Sequence, residues 1–193
     1  MRELTETEKR QLEQHSLWIE SKHNKGEQLN WSNRFIYGVD LHGADLRWAD
    51  LHDANLSRAD LSYANLCCAN LYETILYRAN LYCVNLSGAF LPSSDLYGAN
   101  LTCANLTGAN LYGSSLIIAR GYIGFENVGS EGRTLHCTIH ADGWHCYTGC
   151  FDGTLDEFEK AVEATHSNDK YGEQYRAIIA CLRTLESMYV AEM

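Results

Sequence analysis

Apolar residues recur every five positions across nearly half of the chain. Leucine occupies each fifth place from Leu41 to Leu116, alanine fills most positions two before it, and Asp or Asn most positions one before it. A period of five fits neither the 3.6 of an α-helix nor the 2.0 of a flat strand. It predicts a coil that turns a corner every five residues, with leucine at the centre of each side and alanine beside it in a narrow bore. The register reaches back to Ile36 and Trp31, giving 18 repeats with centres from 31 to 116. With four sides per turn these make roughly 4.5 coils, about 22 Å long at the spacing of neighbouring strands. Each leucine in the bore contributes about 1.5–3 kcal/mol, and a side chain larger than alanine beside it would overpack. The Asp or Asn before each leucine and the two residues after it are read as pointing outward. The pattern departs at Thr74-Ile75-Leu76, Val84, Ala89-Phe90-Leu91-Pro92 and Ser94, where Phe90 and Pro92 are expected to form an apolar bump.

The flanks follow other rules. Residues 1–28 read as a helical cap: Thr5 with Glu8 is a capping box before Leu12, Leu17, Trp18 and Ile19, and Gly26 is a stop signal. Such a lid covers the first coil, whose apolar end and unpaired edges would otherwise be bare. The coil occupies 29–120. Residues 121–193 form a second cap. Within it TLHCTIH and WHCYTG, joined by Asp142-Gly143, predict a β-hairpin with a type I′ turn. Thr154 and Glu157 open a helix with Leu155, Phe158, Ala161 and Val162 inward. A further helix carries the seam Tyr171, Tyr175, Ile178, Leu182, Leu185 and Tyr189. That seam is expected to pack within the chain and cap the last coil, with a homodimer interface as the alternative.

More than a dozen A(D/N)LXX units in one register resemble the pentapeptide-repeat family of bacteria and phages, over about residues 29–120. The resemblance implies an all-β solenoid, a right-handed quadrilateral β-helix, here with an N-terminal helix and a C-terminal hairpin plus two helices as caps. It also implies a binding role, since members of the family act on DNA gyrase as mimics of duplex DNA.

Charge bears on that role. The chain has 25 acidic and 15 basic side chains, a formal net charge of -10, which argues against direct binding of nucleic acid or an anionic membrane. The acids are unevenly placed: residues 29–120 hold seven against five arginines, residues 121–193 twelve against five basic groups. Duplex DNA carries one charge per about 1.7 Å, so whole-rod mimicry is poorly supported. A local acidic patch of Asp40, Asp45, Asp50, Asp53 and Asp60 on the first coils is the candidate partner surface. An apolar stripe of Tyr77, Tyr97, Ile117 and Ile118 is expected either to bed the C-terminal hairpin or helices or to bind a partner.

No nucleophile elbow, phosphate loop or general acid–base pair appears, so no catalytic residue, enzyme activity or cofactor is expected. Cys137, His140, His145, Cys146 and Cys150 crowd one hairpin. Alternation along a strand sends Cys137 and His140 to opposite faces, however, and they are read as ordinary hairpin residues rather than metal ligands. No apolar run reaches a membrane span and the N-terminus is not signal-like, so a cytoplasmic protein of a bacterial host cell, with its cysteines reduced, is expected. The reading is a non-enzymatic inhibitor that engages a protein partner, a nucleic-acid-handling or phage-defence enzyme such as a defence nuclease. A gyrase modulator and a phage structural or assembly module are the alternatives.

Overall fold

The five-residue period becomes a coil that returns on itself every 20 residues. Parallel bridges link Asn30 to Asp50, Phe35 to Asn55, Asp40 to Asp60 and Asp45 to Asn65, and the same spacing continues to Asn100 and Arg120. The computed structural model describes residues 1–116, 119–128, 133–148 and 151–190. Ile117, Ile118, Cys150 and the side chain of Tyr189 lie outside the described residues. The chain divides into two units, Met1–Gly121 and Tyr122–Met193.

In the first unit each coil has four sides. The first is centred on Trp31, Leu51, Leu71, Leu91 and Leu111, the second on Ile36, Leu56, Leu76 and Leu96, the third on Leu41, Leu61, Leu81 and Leu101, and the fourth on Leu46, Leu66, Leu86 and Leu106. From Leu46 to Leu106 these central leucines, and most of the alanines beside them, are essentially inaccessible. Backbone bonds run from coil to coil, as from Leu71 N–H to the Phe90 carbonyl (2.7 Å) and from Asn70 N–H to that of Ala49 (2.9 Å). Corners are β-turns: Ala69 N–H donates to the Leu66 carbonyl at 3.0 Å, and Cys68 between them has φ 58°. Positive φ at that one place marks a type II turn, and it recurs at every corner from Asn33 to Gly113.

The Asp or Asn before each centre does more than point outward. Its Oδ1 accepts the N–H two residues on, as Asn55 does from Ser57 (3.0 Å) and Asn105 from Thr107 (2.9 Å). Its amide then reaches the equivalent residue of the preceding coil, as from Asn80 to Asp60 (3.0 Å) and from Asn85 to Asn65 (3.1 Å). These residues thus link neighbouring coils through their side chains on the first, third and fourth sides. Thr74 and Ser94 depart from alanine and are buried. Their hydroxyls donate to the carbonyls of Leu51 (2.8 Å) and Leu91 (2.7 Å), which removes the cost of placing them in the bore. Phe90 is exposed as expected, but Pro92 is buried, so the bump is Phe90 alone.

Helix α1, Glu6–Glu20, begins at the Thr5–Glu8 capping box and ends at Ser21, before Gly26. Gln11 accepts from the Trp31 indole (2.9 Å) and from Arg34 (3.0 Å). The buried His15 accepts the Leu29 N–H on Nδ1 at 3.0 Å. Arg2 pairs with Val39 in a parallel bridge and holds Glu8 at 2.7 Å.

The second unit is a four-stranded antiparallel meander, β1 (Tyr122–Val128), β2 (Arg133–His140), β3 (Gly143–Thr148) and β4 (Phe151–Thr154), followed by α2 (Leu155–His166) and α3 (Lys170–Val190). The sheet therefore has two strands beyond the expected hairpin. The β2–β3 turn also differs from expectation. His140 faces Gly143, so the two loop residues are Ala141 and Asp142. Neither has the positive φ that a type I′ turn requires at both places, while Gly143 has φ 115° as the first residue of β3. Leu135, Cys137, Ile139, Trp144 and Cys146 from one face of the sheet pack with Leu155, Phe158 and Val162 of α2 and with Ile178, Ile179 and Leu182 of α3. No helix among the described residues is long and apolar enough to cross a membrane.

Candidate partner-binding surface

The coil geometry separates the acidic residues that lie together in sequence. Asp50 and Asp53 belong to the first side, Asp40 and Asp60 to the third, and Asp45 to the fourth. Only Asp40 and Asp60 are neighbours in one ladder. Several of these carboxylates are also committed within the wall. Asp45 is clamped by Arg47, with Nη2 to Oδ2 at 2.7 Å. Partial burial pushes its pKa up, but the hydrogen bonds from Arg47 outweigh that and hold it below the usual carboxylate value. Asp50 accepts from Asn70 (3.0 Å) and sits 2.7 Å from His52 Nδ1. Asp60 accepts from the Ser62 hydroxyl (2.6 Å) and from Asn80 (3.0 Å); burial is again outweighed and the carboxyl is lowered. Asp40 and Asp53 remain exposed. The single acidic patch expected from the sequence is thus spread over three sides, with Asp45 paired to Arg47 and Asp50 beside His52.

Aromatic residues far apart in sequence come together instead: stacked pairs form on two adjacent sides, while Tyr63 and Tyr82 meet edge-on at 5.5 Å on the third. On the second, Tyr77 and Tyr97 stack at 5.6 Å with planes 10° apart, and Phe35 and Tyr37 stack at 6.0 Å. On the first, Tyr72 and Phe90 stack at 6.2 Å, and Tyr112 follows. Phe35 is 75% exposed, Phe90 46% and Tyr112 84%. Arginines lie over this row, Arg58 at 5.8 Å from the Tyr37 ring and Arg78 at 5.2 Å from Tyr77, within cation–π range. Of the five coil arginines, Arg34, Arg58 and Arg78 all belong to the second side, whose described carboxylate is Asp95. The first side carries Asp50, Asp53 and Glu73. Aromatic rings with arginines are the composition of protein-interface cores, where lysine and glutamate are depleted.

Sorting outward residues by their place in a 20-residue coil links Tyr37, Arg58, Tyr77, Arg78 and Tyr97 from sequence. It omits Phe35 and Phe90, which stand one place before the centre, and Tyr72 and Tyr112, which follow the centre on the adjacent side. The seam residues of α3 meet a different fate. Ile178 and Leu182 are buried in the core of the second unit, with Tyr175 and Leu185 packed against it, while Tyr171 is half-buried. The described part of that face of α3 packs within its own unit. Among the hairpin residues, Cys137 and Cys146 face the core, with Sγ atoms 3.6 Å apart, and their mutual hydrogen bond, together with burial, pushes the Cys137 thiol far above its usual range. Such thiols are poor nucleophiles.

A model of pentapeptide repeats matches residues 54–91 and 79–116, with eight copies, and this segment is a pentapeptide-repeat array. A search of curated proteins finds no match to the chain. Among solved structures, the pentapeptide repeat protein Rfr23 from the cyanobacterium Cyanothece 51142 is 32% identical, with TM-score 0.47 over 48% of this chain and 63% of that one. HetL, a pentapeptide repeat protein involved in heterocyst differentiation regulation in Nostoc sp. strain PCC 7120, is 35% identical, with TM-score 0.38 over 45% of this chain and 46% of that one. The chain thus spans less than two thirds of either. Full-length QnrB1, a plasmid-mediated fluoroquinolone resistance protein, is 16% identical, with TM-score 0.25 over 45% of this chain and 72% of that one.

Proposed function

We propose that the protein is a non-enzymatic binding protein that uses the aromatic first and second sides of its coil to engage and block a protein partner. The observation that carries the reading is the outward row of exposed Phe35 and Tyr37 and half-buried Tyr77 and Tyr97 with Arg58 and Arg78 over it, continued on the adjacent side by Tyr72 and Phe90. A wall whose backbone is bonded from coil to coil loses little conformational freedom on binding. We further propose that the coil is the right-handed quadrilateral β-helix of its repeat class. The proposed partner is an enzyme that handles nucleic acid or defends against phage, met in the cytoplasm of a bacterial host. The repeats support this partner class, and the arginines on the second side favour a partner that presents carboxylates there. A DNA mimic for gyrase needs dense one-signed negative charge, which the dispersed carboxylates of the coil, seven against five arginines, supply poorly.

The test is capture of partners from nuclease-treated bacterial lysate by three baits: wild type, Tyr77→Ser/Tyr97→Ser, and Asp45→Asn/Asp50→Asn/Asp53→Asn. The aromatic variant is expected to lose at least about 10-fold in recovery of the partner, as loss of central interface aromatics does, while the asparagine variant retains it. The reverse result, with binding lost only in the asparagine variant, would return the acidic surface and a DNA-mimic role. Recovery of phage structural proteins alone from infected cells would favour an assembly module.

A further inference from the structure

The β2–β3 turn brings together three side chains that play no part in the core or in the proposed binding surface. Thr138 pairs with His145, and His140 with Gly143, so His140 and His145 stand on one face of the hairpin, diagonally across the strand pair. Cys137, Ile139, Trp144 and Cys146 take the opposite face, into the helices. The imidazoles of His140 and His145 are 4.1 Å apart between centroids. Asp142, exposed in the two-residue loop, places Oδ1 3.1 Å and Oδ2 3.3 Å from His145 Nε2. Ligating atoms of the three residues all lie within 4.8 Å of one another, and among the described residues theirs is the group of His, Cys and acidic side chains with that spacing.

We propose that His140, Asp142 and His145 bind a divalent transition-metal ion of the zinc type. Two imidazole nitrogens and one carboxylate oxygen are a ligand set such ions take up, with water completing the coordination. The spacing is close to what they need. Ligands each about 2.0–2.2 Å from one ion stand about 3.3 Å apart in a tetrahedron, and the His145–Asp142 separation already matches that. The ion would replace the His145–Asp142 hydrogen bond: the Nε2 lone pair goes to the metal, and the neutral ring keeps its proton on Nδ1. Two protonated imidazoles this close would repel, whereas a cation bound between them uses both lone pairs. The hairpin supplies the rigidity. His140 Nε2 lies 2.9 Å from Thr138 Oγ1 and 3.4 Å from the Tyr147 hydroxyl, and Thr138 and Tyr147 are themselves buried. Outer partners of this kind fix ring orientation in metal sites.

Calorimetric titration of the untagged, chelator-stripped full chain with Zn²⁺ alone tests this, alongside a Co²⁺ absorption spectrum. One ion per chain is expected, weakened more than about 100-fold by His140→Gln or His145→Gln, since loss of a ligand exceeds the 10–100-fold cost of losing an outer partner. Asp142→Asn, in an exposed loop, is the variant to rely on should a histidine variant melt early; because asparagine keeps an oxygen donor and loses only the charge, about 10-fold weaker binding is expected of it. The cobalt spectrum is expected to lack a thiolate charge-transfer band. Absence of binding, equal binding by wild type and all variants, or a thiolate band placing the ion on the cysteines would each overturn the proposal.

Discussion

A corner residue in this coil is held where most side chains are disfavoured. Of the 17 corner positions from Asn33 to Gly113, eleven are not glycine, yet all have positive φ. A left-handed conformation costs an L-residue about 1–2 kcal/mol. The opposing effect is local: nearly every corner delivers a buried leucine, at about 1.5–3 kcal/mol, and closes backbone bonds on both sides. The leucine therefore dominates, and the identity of the corner residue is free to serve the surface, as Arg58 and Arg78 do. The same argument makes the bore intolerant. Leu71 is inaccessible at mid-coil, and Leu71→Asp would place an unpaired carboxylate there at a cost of several kcal/mol. Loss of the cooperative thermal transition and of soluble yield is the expected outcome. A soluble variant melting near the wild-type temperature would contradict the assigned register.

At the scale of elements, the meander β1–β4 carries a titratable weak point. His136 on β2 is largely buried, with Nδ1 2.6 Å from the Tyr122 hydroxyl of β1, and burial alone lowers its pKa from 6.5 to about 4. The unfolded chain takes up the proton first as pH falls, so this histidine leaves stability untouched above about pH 6.5 and erodes it progressively between about 6.5 and 4. The integrated loss is about 3 kcal/mol. Denaturant midpoints measured across that range should fall with pH for wild type and fall less for His136→Gln; equal slopes would exclude His136 as the source. Elements also differ in how much of them the sequence discloses. The coil was legible because its period is dense and each repeat reports the same corner. Strands β1 and β4 were not, since Tyr122–Val128 is interrupted by Gly124 and Phe151–Thr154 spans only four residues. The β2–β3 turn was misplaced by one residue because Gly143 follows the loop instead of lying in it. Asp142, His140 and His145 become a cluster only once that turn is placed.

For the whole molecule, sequence proximity was a poor guide to surface chemistry. Asp40, Asp45, Asp50, Asp53 and Asp60 lie within 21 residues and end on three sides, whereas Phe35, Tyr77 and Tyr97 are up to 62 residues apart and share one. A net charge of -10 coexists with a side that gathers three of the five coil arginines. Binding through that side is the central claim. Backbone hydrogen exchange would be blind to it, because the coil amides are already bonded between coils. Oxidative footprinting of tyrosine side chains, in the free protein and in its captured complex, reads the surface directly. Tyr72, Tyr77 and Tyr97 are expected to lose reactivity on binding while Tyr63, 56% exposed on the third side, keeps it. Protection of Tyr63 with Tyr77 and Tyr97 as reactive as in the free protein would contradict the account.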